Sequence, residues 1–390
     1  MDFLDIPNEL HLTIGKYLSI KDLSSLRRTC HRLSTLLSQR HYMLGVQDVG
    51  QITALQWAAD RGYSSLVEAA ILSGAEVDKQ AENQIDKKIA GRTPLHLAAS
   101  GNHSDVVRIL LKHGANISAR DPAHLTPLHL AVSCKEADAT AVLLENGAEI
   151  TCRDRDGDTP GFHAAMKGGI ACMQALVAAG FDLNAKNRDS KTILHAAAFN
   201  KGKMLGYLLG EGKMKMAINA RDLSGKTPLH FATNARNVRV LLKNGAGVEV
   251  PDEDGYTPAD EAARRGCVPL MKALKDAGFD LNSKGYGGCT VLHMAVLHWR
   301  TALVEYLLQG GAEVNAWNSE WLTPLAIAMK FHRPPGKIVS SLEEYGAHLE
   351  MKDDRGISLT DRIGAKYVYE SGSDWDIEYI TDAEHESDLE

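Results

Sequence analysis

Thr93-Pro94-Leu95-His96-Leu97-Ala98-Ala99 returns as Thr126-Pro127-Leu128-His129-Leu130-Ala131 and again as Thr227-Pro228-Leu229-His230. Looser copies surround Thr53, Thr159, Thr192, Thr257, Thr290 and Thr323. The successive gaps from Thr53 are 40, 33, 33, 33, 35, 30, 33 and 33 residues. A second landmark, Gly followed by Ala or Phe, trails the Thr by 21 residues in six units: Gly74, Gly114, Gly147, Gly180, Gly278 and Gly311. Two landmarks locked in phase at one period define an internal repeat, and a repeat decides the architecture before any single element does.

Each landmark has a physical job. The Thr is placed to cap a helix, its hydroxyl accepting from a free N–H of the first turn. Pro follows at the first helical position, where its missing N–H costs nothing. His falls at the third position, from which a side chain reaches back to the cap. The Ala pair lets neighbouring helices approach closely. A second helix carries Val106, Val107, Leu110 and Leu111 on its buried side. Gly114 ends it in the left-handed conformation that Gly adopts freely. One such unit cannot bury its apolar face alone, so the units must stack.

The Thr-Pro-Leu-His-x-Ala-Ala pattern at this period resembles the ankyrin repeat. The resemblance covers residues 51–350 as nine repeats, with a degenerate capping repeat over 351–369 announced by Gly356-Ile357-Ser358-Leu359. It implies an all-α, curved solenoid of helix–turn–helix pairs with β-hairpin fingers projecting from one side. Irregular stacking is expected where the period breaks. The first finger holds about seven extra residues between Lys79 and Ala90. The fifth repeat has an insertion near Lys213-Met214-Lys215-Met216, and the ninth has one at His332-Arg333-Pro334-Pro335. The sixth is three residues short between its cap and Gly245.

Residues 1–42 do not follow the repeat and are separated from it by a short linker, 43–50. Ile6-Pro7-Asn8-Glu9-Leu10 opens a helix whose apolar face continues through Ile14 and Leu18. Ser19 and Asp22 form a capping box before Leu23 and Leu26, and Leu33, Leu36 and Leu37 mark a third helix. So short a module buries little unaided and must dock on something. Ile6-Pro7-Asn8-Glu9-Leu10, Asp22-Leu23-Ser24-Ser25-Leu26-Arg27 and Cys30-His31-Arg32-Leu33 resemble an F-box. Ile6 stands where that family has Leu, and the third helix lacks the usual aromatic. The resemblance implies that Ile6, Pro7, Leu10, Ile14, Leu18, Leu23 and Leu26 bind a Skp-family adaptor. The chain would then be a substrate receptor of a Skp–cullin–F-box ubiquitin ligase, with the repeats recruiting a protein target. The alternative is a ligase-independent scaffold whose N-terminal helices cap the stack.

Composition narrows the class further. Net charge is −7, and nine Asp or Glu lie between Glu370 and Glu390, so without them the rest of the chain stands at +2. A nearly neutral body without a basic stripe argues against nucleic acid. No segment approaches the apolar length of a membrane helix, and the start is not a signal peptide. Six scattered cysteines without a Cys-x-x-Cys pair suit a reducing cytoplasm or nucleus. The acidic segment 370–390 is expected to be disordered and solubilising, with short-motif binding through Trp375, Ile377, Tyr379 and Ile380 as the sharper reading. A chain of this kind is expected to be monomeric outside its complex.

Chemistry is not expected. Gly225-Lys226-Thr227 resembles the end of a phosphate loop, but Ala220 stands where the loop needs Gly, and the repeat accounts for the rest. His96, His129, His195, His230 and His293 recur at the capping position on separate helices, too far apart for one metal. Asp154-Arg155-Asp156-Gly157-Asp158 hints at a calcium loop, but its Gly is misplaced and Asp158 runs into the Thr159 cap, so a solvated finger is expected. No catalytic residue, metal or cofactor is assigned. For target recognition the fingers are the candidates. Arg120, Arg153, Lys186, Arg221, Lys284 and Lys352 precede the finger Asp or its counterpart. Trp317 stands there in one finger, whose turn Gly is replaced by Trp321, and Tyr256 and Tyr286 lie in the two fingers before it. These four rings either line a target-binding patch or pack on neighbouring fingers.

Overall fold

The computed structural model describes residues 53–359 apart from 73, 82–88, 135, 201, 211–217, 331–334 and 354. The N-terminal module, the linker, the acidic segment and most of the three expected insertions lie outside the described residues.

The described chain forms two compact units, divided between Asp254 and Gly255. In the first, helix pairs follow the repeat: α1 (Ala54–Asp60) and α2 (Ser64–Leu72), α3 (Pro94–Ser100) and α4 (Ser104–Lys112), α5 (Pro127–Ala131) and α6 (Asp138–Glu145). Then come α7 (Pro160–Lys167) and α8 (Ile170–Ala178), α9 (Ile193–Phe199) and α10 (Met204–Leu209). The first helices form one row, α1 on α3, α3 on α5, α5 on α7, α7 on α9, and the second helices α2, α4, α6 and α8 form another. The second unit repeats the plan with α12 (Pro258–Arg265), α14 (Val291–Leu297) and α16 (Pro324–Lys330) in one row. Its other row holds α13 (Val268–Asp276), α15 (Thr301–Gln309) and α17 (Gly336–Glu344).

The core is the repeat pattern made solid. Leu95, Leu128, Leu194, Leu229, Leu292 and Leu325 are buried, as are Ala98, Ala131, Ala164, Ala197, Ala262 and Ala295 in the row where backbones pass closely. Val106, Val107 and Leu110 are buried as expected, but Leu111 sits at the edge of the stripe and is only half-buried. The glycines that end the second helices, including Gly245 and Gly346, all have φ between 81° and 96°. A Cβ on any of them would meet nothing within 4 Å. Conformation rather than space therefore selects Gly there.

The short sixth repeat shows how the loss of three residues is absorbed. Its first helix shrinks to a single 3-10 turn, Pro228–Phe231, against α9. The second helix, α11 (Ala235–Lys243), keeps full length because Asn234 caps it, its Oδ1 accepting from the Asn237 N–H at 2.9 Å.

The fingers are narrower than the β-hairpins the resemblance implies. Among the described residues there is no strand, only isolated bridges, Lys186 to Thr192 and Lys352 to Ser358. The reason is local. The finger Asp closes the turn twice over. Its N–H donates to the carbonyl four residues on, as from Asp154 to Asp158 (3.0 Å). Its Oδ1 accepts the N–H groups two and four residues on, Asp156 at 3.0 Å and Asp158 at 2.8 Å. Asp121, Asp222, Asn318 and Asp353 do the same. A side chain that takes both N–H groups leaves no second rung for a ladder. In the final finger Leu359 is fully buried and its N–H donates to Met351.

Candidate functional site

The capping histidines hold the fingers to the helices. The Thr93 N–H donates to His96 Nδ1 at 3.2 Å, and the Thr93 hydroxyl lies 2.9 Å from the same nitrogen. Accepting at Nδ1 puts the ring proton on Nε2, which reaches the Leu125 carbonyl at 3.0 Å, just before the next repeat's Thr126. The same stitch joins His129 to Asp158 (3.2 Å), His195 to Lys226 (3.0 Å) and His293 to Leu322 (3.1 Å). His230 accepts from the Thr227 N–H at 3.0 Å. All five thus cap as expected, but the Thr hydroxyl faces the ring in these repeats. It accepts a first-turn N–H at Thr53, Thr257 and Thr323, where the third residue is Gln56, Asp260 or Ala326. Burial lowers the pKa of His96 and His195, and holds His129 and His293 down at about 4. A neutral ring is what the stitch needs.

Three of the basic residues before the finger Asp, all arginines, are struts. Arg120 Nη1 donates to the Arg153 carbonyl (3.1 Å), Arg153 Nη1 to Lys186 (2.7 Å), and Arg221 Nη2 to Pro251 (2.8 Å). Each reaches the same position one finger along. Finger tips also join through backbone: Arg155 donates to Ala123, Leu223 to Asp189, and Ser319 to Gly287. Nothing in a side-chain pattern announces carbonyl partners, so the sequence shows the arginines without their purpose.

The four aromatic residues come together as two pairs in the second unit. Tyr256 and Tyr286 stack across adjacent fingers, centroids 4.4 Å apart and planes 19° apart. Trp317 and Trp321 meet edge to face within one finger at 6.0 Å. Tyr286 is 48% exposed, and the other three rings are half-buried. Trp321 has φ +59°, as the turn-Gly replacement implies; Gly157, Gly225 and Gly255 hold that position elsewhere with φ of 81°, 76° and 90°. The rings pack on each other and still present surface. Lys284 lies exposed in the finger of Tyr286 and Glu320 in that of Trp317 and Trp321. The candidate adaptor residues Ile6, Pro7, Leu10, Ile14, Leu18, Leu23 and Leu26 lie outside the described residues.

The family described as "Ankyrin repeats (3 copies)" matches residues 55–154, 150–222 and 207–285, and "Ankyrin repeat" matches 287–319. The chain belongs to the ankyrin-repeat family. No F-box match accompanies the repeats. Mouse (Mus musculus) NF-kappa-B inhibitor alpha is 34% identical over 136 residues, 32% of this chain and 43% of that protein. Human Ankyrin repeat and SOCS box protein 3 is 37% identical over 97 residues, covering 24% of this chain and 18% of its own length. Ankyrin repeat domain-containing protein SAT10 of Stachybotrys chartarum is 34% identical over 144 residues, 36% of this chain and 7% of that protein. The chain thus spans less than half of each of these relatives. An ankyrin stack works through protein–protein contacts.

Two further observations bear on chemistry. Burial pushes the thiols of Cys134, Cys152, Cys172 and Cys289 up, away from nucleophilic use. Among the described residues no helix is long and apolar enough to cross a membrane. One constellation escaped the sequence reading: His163 meets Asp154 and Asp158 in the fourth repeat. Its signal was a histidine displaced by one position from the capping slot.

Proposed function

We propose that this ankyrin stack is the target-binding part of a substrate receptor for a Skp–cullin–F-box ubiquitin ligase. The aromatic fingers grip a protein target, and Ile6, Pro7, Leu10, Ile14, Leu18, Leu23 and Leu26 hold the adaptor. Catalysis is by proximity: the receptor raises the local concentration of target lysines beside a conjugating enzyme that others supply. The observation that carries the target site is the exposed Tyr286 ring stacked on Tyr256 beside the Trp317–Trp321 finger. Rigid, partly packed aromatic surface is the usual anchor of an interface. The human relative's name couples ankyrin repeats to a SOCS box, which supports reading a box motif beside the repeats here.

The test is affinity capture from cells with wild type, Tyr286→Ala plus Trp317→Ala, and Leu10→Glu proteins. Losing an anchor pair should weaken target capture by roughly thirtyfold or more. Leu10→Glu should lose the Skp-family adaptor while target capture persists. Unchanged target capture by a folded aromatic variant sinks the patch, and full adaptor retention by Leu10→Glu sinks the F-box. The second reading is a ligase-independent scaffold. The mouse relative is named as an inhibitor, and the same adaptor co-purification separates the two.

A further inference from the structure

The fourth repeat breaks the pattern in three linked places. It reads Thr159-Pro160-Gly161-Phe162-His163, so Phe162 occupies the capping slot and the histidine comes one residue late. Phe162 is 2% exposed, and Phe181 fills the space a side chain at 161 would take: a Cβ on Gly161 would lie 2.1 Å from the ring. Freed from the cap, His163 Nε2 lies 2.8 Å from Asp154 Oδ2. The Thr159 hydroxyl, which a capping histidine would face, is buried and has no hydrogen-bond partner.

The charges around this point differ from those at two other fingers. Arg92, immediately before Thr93, lies 3.4 Å from the Asp121 carboxylate of the next finger. Lys226, immediately before Thr227, stands 3.8 Å from Asp252 in the same way. For Asp154 the corresponding residue is Leu125, which carries no charge. The residue in that register one repeat on is Asp158, a second carboxylate. Ligand atoms of Asp154, Asp158 and His163 all lie within 4.8 Å of one another. Asp154 is 6% exposed. Its Oδ1 is committed to the turn N–H groups, which leaves Oδ2. Asn187 Nδ2 donates to Asp158 Oδ1 at 2.8 Å, which leaves Oδ2 there as well. The turn N–H groups and Asn187 thus hold the two carboxylates from behind, as outer-shell groups fix metal ligands, and His129 holds the Asp158 main-chain carbonyl at 3.2 Å.

We propose that Asp154, Asp158 and His163 bind a divalent transition-metal ion of the zinc class. The ligands are the Oδ2 atoms of the two carboxylates, that of Asp154 exchanging its contact with His163 for the ion, and His163 Nε2. One imidazole with two carboxylates suits zinc, iron or manganese. Calcium needs six or more oxygens, and this cluster does not offer them. The ion restores the positive charge that Leu125 and Asp158 remove from this register. It also clasps the 154–158 turn to α7 through His163. The site is separate from the aromatic fingers and does not depend on the ligase reading.

The test uses the full chain, stripped with a chelator and titrated with Zn²⁺ against a chromophoric competitor, with thermal melts in parallel. One site should appear, and Zn²⁺ should raise the melting temperature. His163→Gln keeps a hydrogen-bonding group toward Asp154 but is a poor ligand. It should fold and lose affinity about tenfold or more, and Asp158→Asn should do the same. Co²⁺ in place of Zn²⁺ should give a visible absorption band that His163→Gln abolishes. The proposal is overturned if wild type shows no site above that of the His163→Gln protein. It is equally overturned if Ca²⁺, but not Zn²⁺, raises the melting temperature.

Discussion

Trp321 holds a left-handed backbone at φ +59° in a turn position that Gly157, Gly225 and Gly255 fill in other fingers. A bulky residue in that region costs about 1 kcal/mol or more. Its ring recovers part of this against Trp317 at 6.0 Å. Trp321→Gly therefore separates packing from recognition. The backbone strain vanishes and one edge contact is lost, so the melting temperature should hold or rise slightly, by up to about 1 kcal/mol of stability. Target capture should fall all the same. A variant that loses stability and binding in proportion would show that the ring serves only to pack its finger. Trp321 was legible in the sequence because a turn Gly replaced by Trp is a local contradiction. His163 was not, although its departure is as local. Its meaning depends on Leu125 and Asn187, about thirty residues away on either side, brought to it only by stacking.

At the scale of the element, capping carries the argument. Thr, Pro, His, Ala and Gly announce the helix pairs because each acts within about five residues of backbone. The hairpins failed to appear because the finger Asp satisfies the N–H groups a ladder would use, a competition between side chain and strand that the resemblance does not register. The sixth repeat tests capping most directly. Its first helix is one 3-10 turn, so α11 relies on Asn234 for its start. Asn234 Oδ1 accepts from Asn237, while its Nδ2 is buried with no hydrogen-bond partner. Asn234→Ala should cost about 1 kcal/mol in urea unfolding. Asn234→Asp keeps the accepting oxygen, removes the orphaned amide and places negative charge at a helix start, so it should be neutral or stabilising. An Asp variant as damaged as the Ala variant would mean that the cap is not what positions α11.

Across the whole molecule, neutral histidine is a condition of stacking. His96, His129, His195 and His293 each accept at Nδ1 and reach the next finger's carbonyl at Nε2. Burial disfavours their charged form and holds all four below the ordinary range, His129 and His293 at about 4. In the unfolded chain the same rings take a proton near pH 6.5. Between about pH 6.5 and 4 the unfolded state therefore binds more protons than the folded one, and stability falls as pH falls. The contribution is complete above about pH 6.5 and, for His129 and His293, is lost toward pH 4, at up to about 1.4 kcal/mol per pH unit for each of these two rings. The first repeat supplies its own control. Gln56 takes the Thr53 N–H at 2.8 Å and donates from Nε2 to the Lys79 carbonyl at 2.6 Å, the same stitch without a titrating group. A protein carrying His129→Gln and His293→Gln should stay folded near neutral pH. Urea unfolding at about pH 7.5 and about pH 5 should show wild type losing more stability than the double variant. Equal losses in the two proteins would remove the stitch from the account of acid sensitivity and leave carboxylate protonation to explain it.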